Sequence, residues 1–547
     1  MPNPVNLWIY NLLLRFSPSV ARWLFPRLTR YLGFIKRWGT VPSDNHTYIP
    51  NVQTLFHARQ RTEVKQVSVA TWQDLDFDEV FLQLDTCVTY LGKNALYETL
   101  RTYRSEPDLT LRFEAIEQLI EKSDIRQSVQ MSLTQLKDQP ASSLISLLHE
   151  DAVPVKRSRL IVFQSVLSLT TVLACFYSVF FAVALAAINF VVSLRMQQRV
   201  SRFMPGYVQL SSLLFCAYSL AEIKGGESMQ YLSRLSEQRS RIFWLGQRLR
   251  LLAIDRGGGF GVVTLLFHWL NLICLLDSLI YIRGSKIIEQ NQEWLLDLLT
   301  DVSSLDELNS IGNYIVAKKV ICNPEFVEGN TLTLVNAYHP LLETPVANSI
   351  DIEHQSILVA GSNMAGKTTY LRTVGVNVIL AQTLWFAHAE SATLGRFELT
   401  TAIKRDDAIL KGESYYFAEL NLILKMIEKA QQSGPHLFLI DEIFRGTNTT
   451  ERIAAAAAVL EVLCRTQTVL VTTHDVELLD RLGDCYVLIH FEETGNPEQP
   501  FDFKVRDGRP QGRNAIKLLD RLGYPHEIVS KANAIVAEIE ALKLGSD

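Results

Sequence analysis

The alternation of apolar and polar positions changes character several times along the chain. From Asn6 to Trp38, Leu, Trp, Phe and Tyr mix with Arg15, Arg22, Arg27, Arg30, Lys36 and Arg37, and prolines interrupt the run. Such a basic amphipathic segment suits a membrane interface, and equally a helix packed on a domain. It is a poor signal peptide, because arginines and prolines stand where an unbroken apolar core should be. From Trp72 to Lys137 apolar residues return every three or four positions, as in Phe81, Leu84, Val88, Leu91 and Leu96, then Leu111, Phe113, Ile116 and Leu119. This spacing predicts a helical module.

Between Leu160 and Leu194 stand 35 consecutive residues without Asp, Glu, Lys, Arg or His. As one helix they would measure roughly 52 Å, far more than a ~30 Å hydrocarbon core requires. Lys156, Arg157 and Arg159 precede the stretch and Arg195, Arg199 and Arg202 follow it, so basic flanks on both sides predict two short spans returning to the same side. A second apolar run, Phe260 to Ile282, contains His268, Asn271 and Asp277 and is expected to pack within protein. Amphipathic helix resumes at Trp294. After Glu328 the pattern changes to alternating strand and helix signals, which puts a boundary near residue 325. The expected division is a basic amphipathic segment over 1–65, helical core over 66–155 and 203–325, a transmembrane hairpin over 156–202, and an α/β domain over 326–547.

Composition narrows the class. Of 547 residues, 48% are hydrophobic and 20% charged, apolar for a soluble enzyme and too charged for a many-span transporter. The formal net charge of -5 supplies no general field for a polyanion, so any nucleic-acid contact needs a local basic patch. Seven scattered cysteines with no Cys-x-x-Cys disfavour a zinc site and a disulfide framework, and indicate a reducing compartment.

Chemistry concentrates after residue 355. Gln355-Ser-Ile-Leu-Val-Ala360 is a short β-rich run followed by Gly361-Ser362-Asn363-Met364-Ala365-Gly366-Lys367-Thr368-Thr369 and then a helical pattern. Strand, glycine loop and helix are the context of a P-loop. There Gly361 and Gly366 let successive amides face phosphates, Lys367 neutralises the β/γ oxygens, and Thr368 ligates Mg²⁺. About seventy residues later Leu437-Phe-Leu-Ile-Asp441-Glu442 ends a buried-strand run in two carboxylates, Asp441 for the metal and Glu442 for the attacking water. Thr468-Val-Leu-Val-Thr-Thr473 delivers His474 to a strand end, where an imidazole could contact the γ-phosphate. Gly412-Glu-Ser414 before an amphipathic helix offers an anion site for a neighbouring copy, and Arg445-Gly446-Thr447 has the composition of a loop packed at a dimer interface.

Taken in order, these segments resemble the MutS family of DNA mismatch-repair ATPases, relatives of the ABC ATPases. The resemblance covers Asn336 to about Ala532, with Tyr338-His339-Pro340-Leu341 similar to the strand-end motif that places His339 near the nucleotide base. Gly361 to Thr369, Ala381-Gln382, Gly412-Glu-Ser414, Asp441-Glu442, Arg445-Gly446-Thr447 and Thr472-Thr473-His474 also match. A weaker likeness over Asp74 to Leu119 and Ser304 to Tyr314 is to the family's helical core. The sequence departs where His388 stands for the usual Pro and where Gly512-Arg-Asn-Ala replaces a Ser-containing turn. It has no module with the Phe-x-Glu mismatch wedge, and the chain ends soon after Ala532.

The resemblance implies a multidomain protein: an α-helical core or lever domain with an inserted transmembrane hairpin, as in membrane-anchored MutS-related proteins, then an α/β P-loop ATPase domain of ABC-like type. It implies a homodimer through the ATPase domain that sandwiches ATP and Mg²⁺ between Gly361–Thr368 of one chain and Ser414 of the other, coupling closure to DNA binding. The expected location is membrane-associated, with lipid contact through residues 160–194 and the ATPase domain on the cytoplasmic side. The alternative is an ATP-driven membrane scaffold or remodelling protein without a nucleic-acid substrate.

Overall fold

The computed structural model describes residues 4–42, 45–59, 64–136, 140–149, scattered positions between 166 and 191, and 203–250. It continues with 284–353, 355–403, 415–444, 448–494, 496, 501–510 and 523–544. Two compact units result. A helical unit takes residues 1–64, 81–99 and 105–318, and an α/β unit takes 65–80, 100–104 and 319–547.

In the helical unit the basic amino-terminal segment folds as three helices, Pro4–Phe16, Pro18–Leu24 and Pro26–Arg37. Pro18 and Pro26 stand at first helical positions, where the missing N–H is no loss. Tyr10, Ala21, Leu28 and Tyr31 form a small buried core, and the Arg30 guanidinium donates to the Thr134 carbonyl at 3.1 Å. The segment is therefore packed on protein. The long helix Gln292–Ala317 runs through the unit's interior, with every residue from Asp301 to Tyr314 buried. Its Asp306 carboxylate accepts from the amides of Val88 (2.9 Å) and Thr89 (2.8 Å) and from the Thr89 hydroxyl (2.7 Å). Burial pushes that carboxyl up to about 6. The next residue, Glu307, pairs with Arg112.

Helix Glu106–Glu121 buries Leu109, Arg112, Ala115, Ile116 and Leu119, while Leu111 faces solvent. The apolar count favoured Leu111 and Phe113. The interior acid at Glu307 selects the face that carries Arg112 instead.

The inserted transmembrane hairpin is corrected by the structure: no helix among the described residues is long and apolar enough to cross a membrane. Described positions in the apolar stretch include a turn at Phe176-Tyr177, where the amides of Tyr177 and Ser178 both reach the Ala174 carbonyl at 3.0 Å. The membrane-associated location and the cytoplasmic orientation were read from that hairpin and are corrected with it; most of 160–194, where the lipid contact was expected, lies outside the described residues. The second apolar run, 260–282, lies outside the described residues.

The α/β unit contains ten strands among its described residues: β1 Glu325–Phe326, β2 Leu332–Ala337, β3 Asn348–Ile352, β4 Ser356–Ala360, β5 Ser391–Leu394, β6 Glu398–Ala402, β7 His436–Asp441, β8 Thr468–Thr473, β9 Tyr486–Glu493 and β10 Phe501–Asp507. A six-stranded sheet has the order β10-β9-β4-β8-β7-β6, with β10 antiparallel and the other neighbours parallel. A smaller sheet has the order β1-β5-β2-β3.

All residues of β4, β7 and β8 are buried, as expected for parallel strands covered on both faces. Phe438 and Ile440 join Met426 and Leu460 in one core, while Leu439 on the opposite face would meet a Cβ placed at Gly375. Residues 65–80 complete the unit. The amide of Ile403 donates to the Asp74 carboxylate at 3.0 Å, and Gln66 bridges to Thr102.

Candidate functional site

Strand register assembles the candidate site. Ala360 of β4 stands beside Thr473 of β8, and Thr472 of β8 beside Asp441 of β7, so three carboxy-terminal strand ends form one row. Ligands of open parallel sheets bind outside such an edge. The chain leaves β4 through Gly361, whose φ of 136° lies in glycine's territory, and a Cβ there would come within 2.8 Å of the Phe491 carbonyl. A 3₁₀ turn, Asn363–Ala365, leads to Gly366 at φ 101°, which starts the helix Lys367–Leu384. The first turn of that helix contains no acidic residue, so its amide dipoles present uncompensated positive charge to the loop.

Lys367, only 1% exposed, folds back over this loop. Its Nζ donates to the Gly361 carbonyl at 2.5 Å and the Thr473 carbonyl at 3.2 Å, and stands 3.6 Å from Glu442 Oε1. The Thr368 hydroxyl donates to Asp441 Oδ2 at 3.1 Å, while the Thr472 hydroxyl holds Asp441 Oδ1 at 2.6 Å. Glu442 follows with φ 54°, a sparsely populated conformation that turns its carboxylate out of the strand direction. Its amide donates to the Thr472 hydroxyl at 3.2 Å. His474 approaches Glu442 Oε1 through Nδ1 at 3.4 Å with its side chain 45% exposed. The Glu442 carboxylate beside it raises the imidazole's pKa above its ordinary value, against the opposing effect of burial.

The structure thus brings together Gly361, Gly366, Lys367, Thr368, Asp441, Glu442 and His474. Met364 is 66% exposed at the loop's tip, Ser362 and Thr369 are exposed, and Ala365 is buried. Asn363 contributes backbone to the 3₁₀ turn. His339 has other company. It is buried after β2, its Nδ1 accepts from the Leu341 amide at 3.4 Å, and burial together with Arg372 lowers its pKa to about 4. No hydrogen bond or ion pair among the described residues joins it to Lys367, Asp441 or Glu442. Ser414 and Arg445-Gly446-Thr447 lie outside the described residues.

Two neighbours of the site escaped the sequence reading. Glu419, buried on the helix Tyr415–Ala430, accepts from the Phe444 amide at 2.6 Å and pins the strained turn that follows β7. Phe503 of β10, at φ 56° and 42% exposed, would lie 3.2 Å from a Cβ at Gly366. The aromatic pair Phe501 and Phe503 in a polar strand was the available signal, but only the antiparallel return of β10 puts one ring beside the loop.

In the oxygen pair of Thr368 and Asp441 the site has hard donors suited to Mg²⁺. No group of three or more His, Cys, Asp or Glu among the described residues could hold a metal by itself. Such a pair fits an ion whose remaining positions are filled by phosphate oxygens and water.

Residues 357–540 match the family model for MutS domain V. Over 279 residues the chain is 30% identical to the DNA mismatch repair protein MutS of Staphylococcus saprophyticus, covering 48% of this chain and 31% of that protein. The MutS of Thermus thermophilus is 31% identical over 230 residues, 40% of this chain and 27% of its own length. That of Staphylococcus aureus is 29% identical over 280 residues, 49% and 32% respectively. The matched part therefore spans less than a third of the length of these curated relatives.

Proposed function

We propose that the chain, which carries a MutS domain V, binds ATP with Mg²⁺ and hydrolyses it, and that two copies closing on nucleotide regulate contact with DNA. The observation that carries this reading is the Thr368 hydroxyl within 3.1 Å of the Asp441 carboxylate, with Lys367 and Glu442 at the same strand edge. Hard oxygen donors, a buried cation and a second carboxylate are the parts phosphoryl transfer to water requires.

In this reading the amino-terminal turn of the helix Lys367–Leu384 and the Lys367 ammonium bind the β/γ-phosphates, releasing the lysine from the Gly361 and Thr473 carbonyls. Thr368 and Asp441 hold the metal, which when bound neutralises phosphate charge. Glu442 orients water and takes its proton. His474, 3.4 Å from Glu442 Oε1, keeps that carboxylate aimed at the loop. Ser414 of a second copy closes over the nucleotide, which makes the homodimer the competent form. DNA enters as partner through the kinship with proteins named for DNA mismatch repair.

The test begins with Lys367→Ala, expected to abolish binding of a fluorescent ATP analogue. Glu442→Gln should retain ATP, accumulate as dimer and turn over at least ~100-fold slower. Turnover at the parental rate would overturn the role of Glu442. DNA affinity, measured by fluorescence anisotropy, should fall as salt rises and change with bound nucleotide. No response to DNA in either binding or ATPase rate would remove the nucleic-acid half of the proposal.

A further inference from the structure

Two thiols of the α/β unit stand side by side although β8 and the helix Val476–Leu482 separate them in sequence. Cys464 is the last residue of the helix Thr449–Cys464, and Cys485 immediately precedes β9. Their side chains are within hydrogen-bonding reach of each other, and both pack against the core that contains Leu460 and Tyr486. Neither is bridged, and both are partly exposed. Cys87 and Cys216 of the helical unit, by contrast, are buried.

The backbone on both sides is fixed without help from the sulfurs. The Tyr486 hydroxyl, beside the Cys464 thiol, donates to the Leu460 carbonyl at 2.8 Å and so ties the strand to the helix. The Cys485 amide donates to the Leu482 carbonyl at 3.0 Å, and the Gln467 amide to the Leu463 carbonyl at 3.1 Å. A disulfide needs two sulfurs that the backbone already brings together, and a path by which an oxidant reaches them. This pair has both.

The thiol form is also provided for. The Cys464 S–H donates to the Glu461 carbonyl at 3.4 Å, and burial together with Cys485 pushes that thiol above its ordinary pKa. The pair therefore rests as two thiols until an oxidant is supplied. Tyr486 pairs with Ser356 at the start of β4, whereas Gly361 follows the other end of that strand. A bond between the thiols thus changes how firmly helix and sheet are joined, not the groups around Lys367.

We propose that Cys464 and Cys485 form a reversible disulfide that fastens the end of the helix Thr449–Cys464 to the start of β9, with a small-molecule disulfide such as oxidised glutathione as the oxidant. One protein thiolate attacks a sulfur of the oxidant, giving a mixed disulfide and expelling one glutathione thiolate. The second protein thiolate then attacks the protein sulfur of that mixed disulfide and expels the other. Two protein thiols are oxidised, one glutathione disulfide is reduced to two thiols, and the two protein protons pass to them.

The full chain, incubated with oxidised glutathione, alkylated at its remaining thiols and digested without reduction, should yield two peptides joined through Cys464 and Cys485. Dithiothreitol should separate them. Because a cross-link restrains the unfolded chain, the oxidised protein should melt about 5 °C above the reduced one. In Cys464→Ser and Cys485→Ser, both changes at partly exposed positions, the remaining thiol should carry glutathione and the melting shift should vanish. The proposal is overturned if both cysteines are recovered alkylated, if the parent stops at mixed disulfides, or if either thiol joins another cysteine or a second copy. A bridged chain that melts no higher than the reduced one would overturn the fastening role.

Discussion

Both units bury a cation against a carboxylate, and the two arrangements differ in how they are closed. In the helical unit Arg112 and Glu307 face each other deep in the interior, with the Tyr231 hydroxyl 3.5 Å from Arg112. In the α/β unit Lys367 is also buried, and its contacts include two backbone carbonyls and a carboxylate 3.6 Å away, beneath an exposed loop and a half-exposed histidine. The first is a matched pair with little room for exchange. The second is a cation parked on weak substitutes at an open strand edge, which a phosphate can displace. Burial of charge alone does not mark a site; burial beside an opening does.

The largest expected effect on stability comes from breaking the closed pair. Arg112→Ala should cost about 3–5 kcal/mol in denaturant unfolding, because Glu307 would be left as an uncompensated interior charge. The double change Arg112→Met with Glu307→Leu should recover most of that loss. Lys367→Met should cost markedly less, since Glu442 keeps His474 as a partner and the opening admits water. An equal cost for the two single changes would erase the contrast.

Acid sharpens the comparison through the two histidines of the α/β unit. His339 has a folded pKa of about 4 against an ordinary value of 6.5, so between these values the unfolded chain binds more protons and stability falls as pH falls. At about pH 5 the loss is roughly 2 kcal/mol, and His339→Gln should remove it. His474 is shifted the other way, so its contribution is complete below its ordinary pKa and disappears as pH rises through the raised one. Unfolding curves of His339→Gln and His474→Gln should therefore both depart from the parent on the acid side and in opposite directions, His339→Gln more stable than the parent and His474→Gln less stable.

A smaller effect belongs to Asn448, which caps the helix Thr449–Cys464 by accepting from the Thr450 amide at 3.2 Å. Asn448→Ala should lower stability by about 1 kcal/mol, read as a modest drop in melting temperature. That value is the scale of an ordinary local contact against which the Arg112 and Lys367 changes are judged.

Much of the loop region was legible because its signals are local. Gly361 and Gly366 stand where positive φ is required, and the runs before Gly361, Asp441 and His474 are short and largely apolar, as buried parallel strands are. Other features gave no local signal. Arg112 reads as an exposed charge until Glu307, distant in sequence, is opposite it. Glu419 reads as one more polar helix residue until the Phe444 amide reaches it. The apolar count over 160–194 suggested crossing a bilayer, yet no helix among the described residues is long and apolar enough to do so.

By itself the sequence determined which short segments would be strands, where the backbone had to turn through glycine, and which side chains would stand at strand ends, because these follow from backbone sterics and period-two patterning. Only the tertiary structure decided that β8 lies between β4 and β7, so that Lys367, Thr368, Asp441 and Glu442 converge, and that residues 65–80 and 100–104 join the α/β unit. Strand order and long-range partners depend on which surfaces bury each other most completely. That choice is made by the whole chain at once and leaves no mark on neighbouring residues.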